Sequence, residues 1–163
     1  MKQGTVYVGI VIAALAGYFV YQGWFNPTRA VKRRLGEIAG VLSIPENEPD
    51  IERIGRLARL RSYVVNEVHV RVGGADIDGS GTIVGVLASA HPPKGGIDIQ
   101  FVDVQVSVES ETTAHVGLML EVNTHDERTG ELVSDRYETI GDLLRRDGEW
   151  IVVKGEIRNR PPR

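Results

Sequence analysis

The hydrophobic and polar positions of this chain change rhythm along its length, and each rhythm predicts a different element. From Gly4 to Tyr21 there are 18 residues without a charge. A helix rising ~1.5 Å per residue just spans a ~30 Å hydrocarbon core over such a run. Asn26-Pro27 then pairs a capping side chain with proline at the first helical position. Val31, Leu35, Ile38 and Leu42 follow as one apolar stripe, with Lys32, Arg33 and Glu37 opposite. Pro45 and Pro49 bracket a polar loop. A second helix, capped by Asp50, is predicted to bury Ile51, Ile54, Leu57, Ala58 and Leu60 and to leave Arg53, Arg56 and Arg59 in water.

From Val64 the period falls to two. Val64, Val68, Val70 and Val72 share one face of a predicted strand, while Val65, Glu67, His69 and Arg71 share the other. Gly73-Gly74 and the run Asp78 to Gly81 break it. Ile83, Leu87 and Ala90 are spaced like a short helix, which His91-Pro92-Pro93 ends. Ile97 to Glu109 alternates again, but its apolar face switches near Phe101-Val102, which predicts a bulge or a strand serving two cores. Ala114 to Val122 forms an alternating strand, and the turn Asp126 to Gly130 closes a hairpin with a strand from Leu132 to Arg145. Asp147-Gly148 turns directly into Trp150 to Val153, and residues 159–163 read as a flexible tail.

The first 25 residues are read as a retained transmembrane anchor. Phe19, Tyr21, Trp24 and Phe25 suit the headgroup level, and Arg29, Lys32, Arg33 and Arg34 follow where lipid phosphates lie. A cleaved signal peptide is the rival, with Val6 to Ala13 as its apolar region and Ala14-Leu15-Ala16 as its cleavage site. Cleavage there would leave Gly17 to Tyr21 as an apolar stub, which favours the anchor. Gly9, Ala13 and Gly17 recur every four residues and form a candidate helix-pairing face. Charge agrees with a bilayer orientation. Residues 26–72 hold nine Lys/Arg against six Asp/Glu, a net of +3, whereas residues 73–163 hold nine against sixteen, a net of −7. Anionic lipid would attract the first part. Nucleic-acid binding is not expected, because no aromatics interleave with the basic residues.

Chemistry-bearing motifs are sparse. The chain has no cysteine, which removes disulfides, thiolate nucleophiles and thiolate metal ligands. The glycines of Gly79 to Gly85 fit neither a dinucleotide fingerprint nor a Walker loop. His69, His91, His115 and His125 form no ligand pair at helix or strand spacing, no G-x-S-x-G turn occurs, and neither metal nor cofactor is implied. Trp150 is expected in the core.

The element order and two stretches, Arg146-Asp147-Gly148-Glu149-Trp150-Ile151 and Phe101 to Val106, resemble the nuclear transport factor 2-like superfamily, which includes ketosteroid isomerase-like and SnoaL-like domains. The resemblance runs from about Pro27 to Ile157. It implies a cystatin-like α+β fold for residues 26–158: helices packed on a strongly curved antiparallel sheet that forms a cone with a pocket. Enzymes of that superfamily pair a tyrosine with pocket carboxylates, which implies Asp103 with Tyr63 or Tyr137 as candidates for proton abstraction beside a carbonyl. The fold also hosts carriers and subunits of complexes. Similar anchored domains accompany type IV secretion machinery and mammalian-cell-entry lipid transporters.

The expectation is therefore a single-pass membrane-anchored binding or assembly module without catalysis. Its partners would be the bilayer, a second copy or membrane subunit, or an apolar small molecule. An isomerase or dehydratase is the alternative. Basic residues after the anchor favour a cytoplasmic domain. The short leading segment and the resemblance favour the extracytoplasmic side, and the latter is preferred.

Overall fold

The computed structural model describes residues 12–17 and 26–159. Three helices, α1 (Pro27–Leu42), α2 (Asp50–Arg61) and α3 (Ser80–Ser89), pack with six strands, β1 (Val64–Val72), β2 (Ala75–Asp78), β3 (Asp98–Val108), β4 (Thr113–His125), β5 (Leu132–Arg146) and β6 (Glu149–Asn159). The expected anchor lies outside the described residues apart from 12–17, which are helical and exposed. Of its candidate pairing face only Ala13 and Gly17 are described, and the interface residues Trp24 and Phe25 also fall outside. Among the described residues no helix is long and apolar enough to cross a membrane.

The six strands form one sheet in the order β2-β1-β6-β5-β4-β3. It is mixed rather than antiparallel throughout, because β1 runs parallel to β6. β2, α3 and the β3–β5 meander form the connection between these two parallel neighbours. β2 was not expected. Gly73 and Gly74 do not merely end β1: both take positive φ (56° and 91°) and form a two-residue hairpin turn that pairs Val72 with Ala75.

β3 carries the expected bulge. Its register against β4 slips between Val102 and Gln105, where Asp103 takes φ 52°. One extra residue reverses the side-chain parity, so Ile99 and Phe101 before it, and Val104, Val106 and Val108 after it, all pack on the same core. The face switch therefore serves one core, not two. β5 and β6 slip similarly between Asp142 and Leu143. Such bulges strengthen local twist and let the long strands curve around the helices. The two remaining turns form as their sequences require. Asp126 Oδ1 accepts from the Arg128 and Thr129 amides at 2.9 and 2.8 Å, and Asp147 and Gly148 take φ 52° and 84°.

α1 is the central helix. Asn26 Oδ1 accepts from the Thr28 amide at 3.0 Å, and Val31, Leu35 and Ile38 are buried against β3 and β6. Trp150 joins this core, as expected. Arg29, Lys32 and Arg33 are exposed on the outer side of α1. Arg34 turns inward instead. Its guanidinium lies 4.2 Å from the Tyr63 ring centroid, and its Nε donates to the Trp150 carbonyl at 2.9 Å.

The second helix forms and buries Leu60 as expected, but it starts after Pro49 with no capping side chain, Asp50 being its first residue, and it is rotated from the expected face. Ile51 and Ile54 are 80% and 68% exposed, whereas Arg56 is 4% exposed. Arg56 donates through Nη1 to the Val41 carbonyl at 3.0 Å, supplying a partner to the last turn of α1, where helix carbonyls lack intrahelical donors. Glu48 balances the charge with bonds of 2.6 Å to Nε and 2.9 Å to Nη2. Apolar periodicity cannot register this solution, because it counts every arginine as wet. β6 continues to Asn159, so the first residue of the expected tail is strand and the rest lies outside the described residues.

Candidate functional site

Between α1, α3 and the concave side of the sheet lies a cavity of about 420 Å3. Leu35, Ile38 and Leu42 of α1 form one wall, Phe101, Val116, Leu118 and Leu143 another, and Ile83, Val86 and Leu87 of α3 cover it. The wall residues Val72 of β1 and Val86 of α3 are 40% and 52% exposed. α3 suits this place. From Ser80 to Pro93 the chain carries no Asp, Glu, Lys or Arg, so a lid built here adds no charge to the wall.

Two of the wall residues have no side chain. Gly141 of β5 and Gly155 of β6 are direct register partners, and both line the cavity. Strand glycines often stand where another backbone or a ligand approaches closely. Here a Cβ on Gly155 would meet only Val70 methyls at 3.8 and 3.9 Å, so nothing in the backbone forbids a larger residue. Two residues before Gly141, Thr139 presents the one buried side-chain oxygen that lacks a hydrogen-bond partner among the described residues. Thr139 lines the same cavity, whose polar side chains are otherwise limited to the exposed Lys154.

The catalytic candidates do not meet here. Asp103 is exposed at the β3 bulge, Tyr63 is buried beneath Arg34, and Tyr137 is partly buried near the far end of β5. None of the three lines the cavity. A proton abstraction requires base and donor around one substrate atom, and this arrangement does not supply it.

Other polar clusters lie outside the cavity. On the convex side His115 Nδ1 stands 2.7 Å from Asp142 Oδ1, and Ser107 is the register partner of His115. The three form a row, but among the described residues no hydrogen bond joins Ser107 to His115, and both His115 and Asp142 are open to water. His69 faces Asp76 and Asp78 across the β1–β2 hairpin, where the Arg71 guanidinium holds the Asp76 carboxyl below its usual range. Among the described residues no group of three His, Asp or Glu side chains could hold a metal ion. A separate open cleft of about 680 Å3 runs between the α1–α2 loop and the start of β3. Its charged groups include the Glu48–Arg56 pair, in which hydrogen bonding from Arg56 holds the Glu48 carboxyl below its ordinary value.

No family model matches the chain, and no curated protein matches it in sequence. Solved structures do match its shape. A nuclear transport factor 2-like protein with a cystatin-like fold from Novosphingobium aromaticivorans superposes with a TM-score of 0.69 at 13% identity, over 91% of this chain and 92% of that one. The fold is nuclear transport factor 2-like. A candidate scytalone dehydratase from the same organism matches with a TM-score of 0.66 at 15% identity, over 82% of this chain and 83% of that one. The association domain of the C. elegans kinase CaMKII matches with a TM-score of 0.68 at 12% identity, over 85% of this chain and 99% of that one. Likeness at such identities establishes the fold and leaves the chemistry to the site.

The cavity residues were only partly visible beforehand. Leu35, Ile38, Val64, Val70 and Val72 stood on the expected apolar faces. Gly141, Gly155 and Thr139 were not singled out. A glycine flanked by alternating apolar residues in two adjacent strands is the signal that could have found the floor.

Proposed function

We propose that this chain is a non-catalytic binding module that takes one apolar small molecule into the cavity between α1, α3 and the sheet. Residues 1–25 would hold it at a cell membrane, with the domain on the extracytoplasmic side. The observation that carries the reading is the almost wholly apolar cavity of about 420 Å3, with Gly141 and Gly155 in its wall and Lys154 as its one charged lining residue, within the size range of small-molecule sites. An enzyme site would instead converge polar groups on one substrate atom. The uncharged run from Gly4 to Tyr21 supports the anchor, and proximity to a bilayer gives an apolar ligand a local source.

A homologous series of linear alcohols tests this on the full chain in lipid nanodiscs. The unfolding temperature should rise with chain length and level off once the cavity is full. Gly155→Leu should abolish the rise. Solvent-proton exchange into steroid-like ketones that is lost in Asp103→Asn would establish the enzymatic alternative instead. For topology, a single cysteine at the exposed Ser134 should react with a membrane-impermeant maleimide before cell lysis.

A second reading, self-association, is favoured by a different observation. Leu132 and Val133 at the start of β5 are exposed apolar residues, and the chain shares its fold with CaMKII association and hub homology domains. Sedimentation of Leu132→Glu beside the natural chain would test it.

A further inference from the structure

We infer that the outer face of α2 lies on the lipid surface, as a second contact between the domain and the bilayer besides residues 1–25. The inference rests on the proposed membrane anchor and adds which face of the domain the membrane touches. Three observations lead to it.

The first is the apolar outer face of α2. Ile51, Ile54 and Ala58 follow one another at spacings of three and four, so they line one stripe of the helix. All three are exposed, the isoleucines by 80% and 68%, whereas Arg56 and Leu60 on the opposite side are buried. Single exposed apolar residues are ordinary. An apolar stripe with basic residues beside it is the arrangement of helices that lie in the plane of a membrane interface.

The second is charge. Arg59 and Arg61 are exposed in the last turn of α2, and Arg29, Lys32 and Arg33 are exposed on the outer side of α1. α2 runs back along α1, because Arg56 bonds the Val41 carbonyl at the end of α1 while Ser62, just after α2, accepts from Arg34 in its middle. The exposed acids of the helix pair are Glu37, Asp50 and Glu52, so cations prevail on it, whereas residues 73–163 carry a net of −7. Anionic lipid attracts the helix pair and repels the rest of the domain.

The third is the tether. The uncharged run ends at Tyr21 and α1 begins at Pro27, a separation that an extended chain spans in at most about 20 Å. So short a link holds the domain against the bilayer, where even a weak lipid-binding face is engaged through its effective concentration. α1 has 16 residues and is about 24 Å long. Ile51 and Ile54 precede Arg56, which bonds the far end of α1, so joint engagement of tether and stripe lays α1 along the surface.

The chain has no cysteine, so single spin labels test the inference on the full chain in nanodiscs of phosphatidylcholine and phosphatidylglycerol. Electron paramagnetic resonance reads the accessibility of each label to oxygen, which concentrates in hydrocarbon, and to a nickel complex confined to water. A label at Ala58→Cys should show a raised oxygen-to-nickel ratio, and one at Ser134→Cys the ratio of a label in water. Ile51→Glu with Ile54→Glu should return the Ala58 label to the value in water without lowering the unfolding temperature. Arg59→Glu with Arg61→Glu should lower the ratio as well.

If the Ala58 label matches the Ser134 label in a chain that co-purifies with the nanodiscs, the inference is overturned while the anchor stands. An Ala58 label shielded from both oxygen and nickel marks a contact with protein, a second copy included, and overturns it too. A ratio unchanged by the two isoleucine substitutions overturns the role of the stripe. A chain that does not co-purify with the nanodiscs overturns the anchor and the inference together.

Discussion

Gly141 on β5 and Gly155 on β6 are direct partners in the antiparallel ladder, and together they leave the floor of the cavity without side chains. The two are not equivalent. A Cβ on Gly141 would stand 3.1 Å from the Lys154 carbonyl and 3.4 Å from a Val116 methyl, whereas one on Gly155 meets only methyls at ordinary contact distance. Gly155→Ala should therefore be neutral or stabilising by up to about 1 kcal/mol, since alanine costs less backbone entropy. Gly141→Ala should be destabilising, because the carbonyl it meets belongs to the sheet backbone. Urea denaturation of both variants checks the contrast, and equal effects would contradict it.

The Glu48–Arg56 pair joins the α1–α2 loop to the end of α1. Arg56→Met removes the two shortest bonds to the Glu48 carboxylate and the donor to the Val41 carbonyl, leaves Arg53 3.6 Å from Glu48, and should cost about 1.5–3 kcal/mol. The pair also sets an acid limb. The folded-state pKa of Glu48 is lowered, chiefly by the Arg56 hydrogen bond. Its contribution to stability is complete above the unfolded glutamate pKa, about 4.3, and is lost as pH falls through the lower folded value. Urea midpoints between pH 7 and pH 3 should fall steeply in the natural chain and less steeply in Arg56→Met.

Arg34 ties α1 to two other elements. Besides the Trp150 carbonyl and the Tyr63 ring, it donates to the Ser62 carbonyl at 3.3 Å and pairs with Glu37 and Glu149. Charged hydrogen bonds of this kind contribute about 1.5–3 kcal/mol, and the ring contact about 0.5–1 kcal/mol. Arg34→Ala should lower stability by about 2–3 kcal/mol. Arg34→Lys should recover less than half of that, because an ammonium cannot fork to two carbonyls while stacking on a ring.

The outer side of α2 makes the opposite prediction. Ile51 and Ile54 are exposed, so changing both to glutamate should alter stability by no more than about 0.5 kcal/mol. Leu60→Ala, at a residue 2% exposed, should cost about 2–5 kcal/mol. Thermal denaturation of the Ile51/Ile54 variant separates the observed orientation of α2 from the one that its apolar spacing suggests, and Leu60, buried in both, is the control.

What could be read from sequence follows from where the physics is local. α1, the β3 bulge and the Asp147-Gly148 hairpin depend on a cap, a parity change and a turn pair, each contained in a few neighbouring residues. The orientation of α2 depends on a carbonyl 15 residues away in α1, and the parallel pairing of β1 with β6 joins strands at opposite ends of the domain. Neither leaves a local trace. β2 does leave one, the Gly73-Gly74 pair, whose two positive φ angles make a hairpin turn and not simply a break. Asp103 belonged to a resembling stretch, but its place in that stretch turned out to be the bulge itself. The candidate site was the least legible part, because it is assembled from α1, α3 and all six strands and includes two positions without side chains, Gly141 and Gly155.

The central claim is that the cavity takes an apolar ligand, and methyl-resolved NMR of the full chain in nanodiscs tests it most directly. Titration with 1-decanol should shift the methyl resonances of Leu35, Leu118, Leu143 and Ile157 and give intermolecular contacts to the decanol chain, all lost in Gly155→Leu. If those methyls stay fixed while decanol saturates the bilayer, or only surface methyls such as those of Ile51 and Leu132 respond, the claim is contradicted.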